Sequence, residues 1–228
     1  MVTGALSELD AHGEFYVFAN GTLVFMADTE EEELFISVAP SVLELKDTSH
    51  ITLSGLRIAH ARGTGILGSN LSKVRISNCV SELHGEDGIR LDRSRDSSIT
   101  GSQVSNVGCV GVAMSGGNAQ LNEPGNLLME GSRVSNFSLW KRTYRPGLAW
   151  AGVANEFRSN IFENGPHSCV LGGAGESPTR SGDDLDGRAK PTGSVSCVFF
   201  NNTFRDCAYE CGDCGAWCAP PDTHQHVV

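Results

Sequence analysis

The sequence predicts an all-β chain: a single-stranded right-handed parallel β-helix, a solenoid of about six to seven rungs, with an N-terminal hairpin. Three observations carry that expectation. The stretch from Ile51 to Met114 contains one unit three times, as ITLSGLRIAHARGTGI, VRISNCVSELHGEDGIRL and SITGSQVSNVGCVGVAM, at a spacing of 23 residues. Apolar residues within each unit fall two apart, as in Ile51/Leu53, Val74/Ile76, Ile89/Leu91 and Val112/Met114, which is strand periodicity. Between these short runs stand glycine- and asparagine-bearing corners, Ser54-Gly55, Ser77-Asn78 and Thr100-Gly101, suited to the positive φ of tight bends. Such strands recur too far apart to pair as hairpins, and they suit a coil in which each pairs with its equivalent one turn later. A leucine-rich repeat, the competing solenoid, needs a regular leucine frame that is absent.

The frame places each element in order. Glu14–Met26 is two alternating runs joined by Asn20-Gly21, a strong hairpin signal. Glu30–Glu33 reads as a solvated acidic turn, and Ile36–Leu45 as an imperfect first rung covering the apolar end of the solenoid. Column one then runs Leu53, Ile76, Ile99, Met129, Phe157 and Phe199, and column two, five residues on, Ile58, Ser81, Val104, Val134, Phe162 and Phe204. Column three carries Ile66, Ile89, Val112 and Val170. The longer intervals locate insertions at about Gly116–Gly125, Leu139–Gly147 and Gly172–Gly193. The expected organisation is residues 1–35 as hairpin and lead-in, 36–219 as β-helix and 220–228 as a polar tail.

Composition narrows the function. A net charge of −10 lacks the basic footprint that nucleic acid requires. No run of apolar residues is long enough for a transmembrane helix, so neither nucleic acid nor a membrane is expected as a partner, and the chain is expected to be a monomer. Met1–Asp10 lacks the basic and apolar regions of a signal peptide, so the chain is intracellular or its native N-terminus lies upstream, in which case an extracellular setting is favoured. The sequons at Asn20, Asn70, Asn136 and Asn201 lean towards secretion, although chance explains most of them. Eight cysteines divide into Cys79, Cys109, Cys169 and Cys197, scattered through rungs, and Cys207, Cys211, Cys214 and Cys218 as C-x3-C-x2-C-x3-C. The second set admits a tetrathiolate zinc site, disulfides or reduced structural thiols.

A β-helix has no interior pocket, so a site must be built from stacked corners and insertions. The corner four to seven residues after column two holds Arg62, then Glu86 and Asp87, then the expanded LWKRTYRPG of Leu139–Gly147, then Pro166-His167, and finally the Cys207–Ala216 stretch. One edge should therefore gather Arg62, Glu86, Asp87, Trp140, Arg142, Tyr144, Arg145, His167, Glu210 and Asp213 in a polar, aromatic groove. Aromatic rings offer flat faces to sugars, and carboxylates and histidine offer proton transfer. No cofactor is expected. Gly182–Gly187, GDDLDG, is a faint calcium candidate, because hard cations take several oxygens.

The words GEFYVFANGTLVF, ITLSGLRIAHARGTGI, WKRTYRPGLAWAGVANEFRSNIFENGPHSCVLGG and CAYECGDCGAW resemble the right-handed β-helix proteins of the pectate-lyase-like superfamily, in particular a group related to glycoside hydrolases of plant and algal polysaccharides. The resemblance runs from about Gly13 to Trp217. It implies a cleft formed by the tryptophan–TYRP loop, the P-H pair and a D-x-G-A word, which fall on Trp140, Thr143, Tyr144, Arg145, His167 and Asp213. It also implies two carboxylates across the scissile bond. Asp213 is one. Where the relatives carry G-G-N-D this chain has Gly172-Gly173-Ala174-Gly175-Glu176, so Glu176, or an acid among Asp183, Asp184 and Asp186, stands as the second. The catalytic set is then Asp213, His167 and Glu176, and the substrate-binding set Trp140, Arg142, Tyr144, Arg145, Glu86 and Asp87. The expected partner is a polysaccharide or oligosaccharide. A glycosidase is expected before a polysaccharide lyase; a non-catalytic glycan- or protein-binding β-helix, or an inactive fragment of a larger enzyme, is the alternative.

Overall fold

The computed structural model describes residues 6–27, 29, 35–118, 121, 123–172, 195–212, 214–218 and 224–227. The chain divides into two units, Met1–Ile36 and Ser37–Val228. In the first, a 3-10 turn at Leu6–Glu8 precedes an antiparallel hairpin of Phe15–Val17 with Leu23–Phe25. Its bend is wider than Asn20-Gly21 alone. The Phe18 and Gly21 amides donate to the Thr22 and Phe18 carbonyls, Gly21 has φ +86°, and Asn20 Oδ1 accepts from the Thr22 amide. This is the three-residue loop with a left-handed glycine, the next commonest hairpin bend.

The second unit is a three-faced parallel β-helix, because all three columns fall in register. On face one Leu53, Ile76, Ile99, Met129, Phe157 and Phe199 pair successively. On face two the ladder is Ile58, Ser81, Val104, Val134, Phe162 and Phe204. On face three it is Leu43, Ile66, Ile89, Val112, Leu148, Val170 and Trp217. The expected lead-in rung is thus the strand Ser41–Lys46 laid beside Thr64–Ser69. His224–Val227, which sequence assigns to a polar tail, is instead a strand of face one, paired with Val195–Phe200. Among the described residues no helix is long and apolar enough to cross a membrane.

Each corner depends on a left-handed residue at a fixed place. Two positions after column one stand Gly55, Asn78, Gly101, Gly131, Ser159 and Asn201, all with φ between 51° and 65°. Two after column two stand His60, Leu83, Asn106, Asn136, Asn164 and Asp206, also at positive φ. Glycine, asparagine and aspartate suit this conformation, whereas a leucine or histidine there carries strain that the ladders on either side must hold. Several of the asparagines also bond along the axis. Asn70 Nδ2 donates to Asp47, and Asn136 Nδ2 to Asn106. Two sequons, at Asn70 and Asn136, thereby gain a structural reason.

The interior is sealed by apolar columns and by inward polar residues at the corners. After face one, the Cys79 amide donates to Ser102 Oγ, the Ser102 amide to Ser132 Oγ, the Ser132 amide to Asn160 Oδ1 and the Asn160 amide to Asn202 Oδ1. Every link satisfies a buried amide that the turn leaves without a strand partner. After face two, His84 is 3% exposed. Its Nδ1 accepts from the Ala61 amide, and its Nε2 lies 3.1 Å from Ser81 Oγ, which donates to the Gly88 carbonyl. That places the proton on Nε2. Burial pushes the group down to about 4, since a charged ring would lose water and set a second N–H against the Ala61 amide.

Candidate functional site

The edge between faces two and three is built by stacked corners, as its backbone bonds show. Gly85 donates to Ala61, Gly108 to His84, Ser138 to Cys109, and Ala208 to Gly165. The Leu139–Gly147 insertion leaves this ladder and returns to it. Its entry is fixed by the Trp140 amide on the Gly108 carbonyl at 2.9 Å, its exit by the Gly111 amide on Pro146, and its neck by Ser138 Oγ donating to the Arg145 carbonyl. The Trp140 ring lies against Gly108, where a Cβ would stand 2.4 Å from the indole Cδ1, so the absent side chain admits the ring. The indole is nevertheless 61% exposed, presenting ring surface to solvent.

Tyr144, at φ +53° and 52% exposed, lies with its ring 5.0 Å from that of His167 on the next rung. The Arg145 guanidinium donates to the Tyr144 carbonyl. Arg142 reaches forward to form a two-point ion pair with Glu210, whose neighbour Tyr209 is also exposed. The Glu210 carboxylate raises Arg142, and Arg142 holds Glu210 below the ordinary carboxylate range. Trp140, Arg142, Tyr144, Arg145 and His167 therefore share one edge.

Asp87 and the depth of His167 depart from the expected open groove. Glu86 is exposed on an earlier corner. Asp87 is 2% exposed, its carboxylate bonded to the Arg90 guanidinium and to the Val110 amide, so it is a structural anchor and not a groove residue. His167 is 5% exposed beneath Tyr144 rather than open at the rim. Asp213, Glu176 and the GDDLDG segment lie outside the described residues.

One disulfide joins the two expected cysteine sets and one lies within the second. Cys169 bonds Cys207 with a Cα separation of 5.5 Å, and Cys211 bonds Cys214. The stacking of Gly165 on Cys207 brings the fifth-rung corner over the sixth, within disulfide reach. This overturns the tetrathiolate reading, because Cys207 is committed to a residue outside the motif. Cys79, Cys109 and Cys197 are buried. Burial raises the Cys109 thiol, with Asp87 adding to the effect, and pushes Cys197 to about 11, so both stay protonated at neutral pH.

A second concave feature was missed by sequence reasoning. A groove of about 1360 Å³ runs over face three and its exit corner, lined among others by Glu86, Arg90, Asp92, Arg93, Asp96 and Glu123. Its outer wall is formed by the Asn118/Glu123 pairing in the first insertion. The charged run Arg90–Asp96, RLDRSRD, is the sequence signal that marks it.

The family model described as "Right handed beta helix region" matches residues 30–162. No curated protein matches the chain. Among solved structures, the A-module of mannuronan C-5 epimerase AlgE4 from Azotobacter vinelandii is similar at 8% identity and a TM-score of 0.47, over 82% of this chain and 58% of that one. The chain thus spans little more than half the length of that module.

Proposed function

This chain belongs to the right-handed β-helix family, and from that premise we propose that it is a carbohydrate-active, glycosidase-like protein that holds a polysaccharide or oligosaccharide along the edge between faces two and three. The observation that supports this reading is the exposed pair Trp140, seated on Gly108, and Tyr144, which covers the buried His167 ring of the next rung. Trp140 and Tyr144 are both exposed on the same insertion, which leaves this edge. Their faces suit the C–H surfaces of sugars, and the Arg142–Glu210 pair beside them offers donors and acceptors to hydroxyls.

Catalysis in this reading belongs to Asp213 and Glu176 as the two carboxylates, with His167 as a proton-transfer or orienting group. One carboxylic acid protonates the departing glycosidic oxygen while the other carboxylate attacks or activates water. The test is a panel of plant and algal polysaccharides, scored for retention in affinity electrophoresis and for release of reducing ends. Trp140→Ala and Tyr144→Ala should each weaken retention about tenfold, equivalent to about 1.4 kcal/mol. Asp213→Asn should abolish reducing-end release and leave retention intact. Equal retention by the aromatic variants would remove the edge from the reading. Retention without release by the unmodified chain would leave the non-catalytic alternative.

A further inference from the structure

We infer that His167, Cys211 and Cys214 form a redox-gated binding site for one borderline-to-soft divalent cation of the zinc class. One ligand atom from each of the three lies within 4.8 Å of the other two. Tetrahedral zinc holds thiolate sulfur and imidazole nitrogen atoms at about 3.3–3.8 Å from one another, so opening the Cys211–Cys214 bond leaves the donors only small movements to make. Two sulfurs and a ring nitrogen select against calcium and magnesium, which take oxygen, and in favour of zinc.

The donors come from two different rungs, and the fold fixes them against each other before any cation arrives. The Ala208 amide donates to both the Gly165 and the His167 carbonyls, at 2.9 and 3.0 Å, and the Glu210 amide donates to the Pro166 carbonyl at 3.1 Å. The Cys169–Cys207 disulfide fastens the same two corners on the residues' other side. Tyr144 covers the imidazole, which is 5% exposed, while Cys211 and Cys214 remain partly open, so water and a cation approach from the sulfur side.

The structure holds the pair as a disulfide, and a reduction precedes binding. A small dithiol gives two electrons and two protons, the Cys211–Cys214 bond breaks into two thiols, and the reductant's own sulfurs join as a disulfide. Cation binding then releases the two thiol protons, and the neutral imidazole ligates through one nitrogen. Two thiolates and a divalent ion are together neutral, which suits a half-buried place. Glu210 adjoins Cys211 and pairs with Arg142, so the cation state also bears on the shape of the edge. The inference shares His167 with the glycan-edge reading but does not rest on that reading.

The experiment uses the full chain, reduced with dithiothreitol under nitrogen, desalted and titrated with Co²⁺. One ion per chain should bind, with the sulfur-to-cobalt charge-transfer band of two thiolates and the intense visible absorption of a tetrahedral ion, and Zn²⁺ should displace it. Cys211→Ser combined with Cys214→Ser should lose the band and at least a hundredfold in affinity. The unreduced chain should show neither, which gives the same answer without a mutation. His167→Gln should weaken binding about tenfold or more and shift the visible bands, whereas Cys169→Ser with Cys207→Ser should keep one ion per chain. A reduced wild-type chain without the charge-transfer band overturns the site, as does a band that survives in the Cys211/Cys214 double variant. Trp140→Ala leaves the cobalt spectrum unchanged whether or not it affects glycan retention, which keeps the two readings apart.

Discussion

The first three repeats and the last three full rungs solve the same geometric problem with different materials. In the first part, equivalent corner residues stand 23 apart, the core is Ile, Leu and Val, and serine hydroxyls satisfy the corner amides. In the second, the same positions are separated by 30, 28 and 42 residues; Ser132 still serves the first of these links, and beyond it asparagine replaces serine and the core columns become aromatic. Phe157 stacks on Phe199 at 4.7 Å, Phe162 on Phe204 at 5.8 Å, and Trp217 meets Phe199 edge-on at 4.2 Å. Both residue types accept from a corner amide and donate as well, but to different places: Ser102 Oγ donates two residues back, to the Thr100 carbonyl, whereas Asn160 Nδ2 and Asn202 Nδ2 reach carbonyls of the previous rung, Met129 and Phe157. Register in this solenoid is therefore held by inward corner groups and stacked columns. Constant repeat length is not required.

The strongest way to break the comparison is a charge in the aliphatic column. Val104→Asp places an unpaired carboxylate at a position 1% exposed and should lower stability by about 5 kcal/mol, read from urea unfolding. A loss under 1 kcal/mol would mean that the regular part tolerates water in its core. Next in size is the staple of the irregular part. Replacing Cys169 and Cys207 together by Ser removes a cross-link closing 38 residues and should cost about 4 kcal/mol, chiefly through the freer unfolded chain. Hydrogen exchange should then show protection falling in residues 156–172 and 195–207 while residues 75–114 stay protected. Uniform loss would erase the distinction between the parts.

Acid tests the regular part alone. His84 is held neutral with its folded-state value near 4, below the ordinary 6.5, so the native state refuses a proton that the unfolded chain accepts. Its stabilising contribution is complete above pH 6.5 and is lost as the pH falls from about 6.5 to about 4, roughly 3 kcal/mol in all. Urea midpoints of wild type and His84→Gln at pH 7.5 and 4.5 should converge towards the acid end. Parallel curves would mean that His84 is charged or solvated in the fold. The smallest effects compare corners. Gly131 has φ +59° and open space around its Cβ position, so Gly131→Ala should cost about 1 kcal/mol from backbone strain alone. Ala154, at φ +55° in the same later part, should gain up to about 0.5 kcal/mol on change to Gly. Thermal melts of the two variants should move in opposite directions.

How much of this was legible depends on which residue carries each signal. The columns could be read because period-two alternation and the five-residue offset from column one to column two survive every insertion; the eight-residue offset holds at Ile66, Ile89, Val112 and Val170 and lengthens before Leu148 and Trp217, which sequence did not place. The left-handed corners were visible where glycine or asparagine marks them, at Gly55, Asn78 and Gly101, and hidden at His60, Leu83 and Ala154, whose types argue against such a φ. His224–Val227 reads as tail because its residues are polar, and only its register with Val195–Phe200 makes it a strand. Counting corners was enough to put Trp140, Arg142, Tyr144, Arg145 and His167 on one edge. It could not reveal that Asp87 turns inward to Arg90 and Val110, because inward and outward corner residues have no fixed alternation. Nor could it pair Cys169 with Cys207, since cysteine spacing along the chain says nothing about which rungs lie over one another.

The Leu139–Gly147 excursion has a consequence for how such a molecule can change over generations. The strands on either side keep their partners: Ser135 faces Ser105 before it, and Leu148 faces Val112 after it. The corner therefore behaves as a socket, into which segments of different length and chemistry can be exchanged without re-registering a single core residue. Variation there is uncoupled from foldability, so recognition can be rewritten while the scaffold is inherited intact.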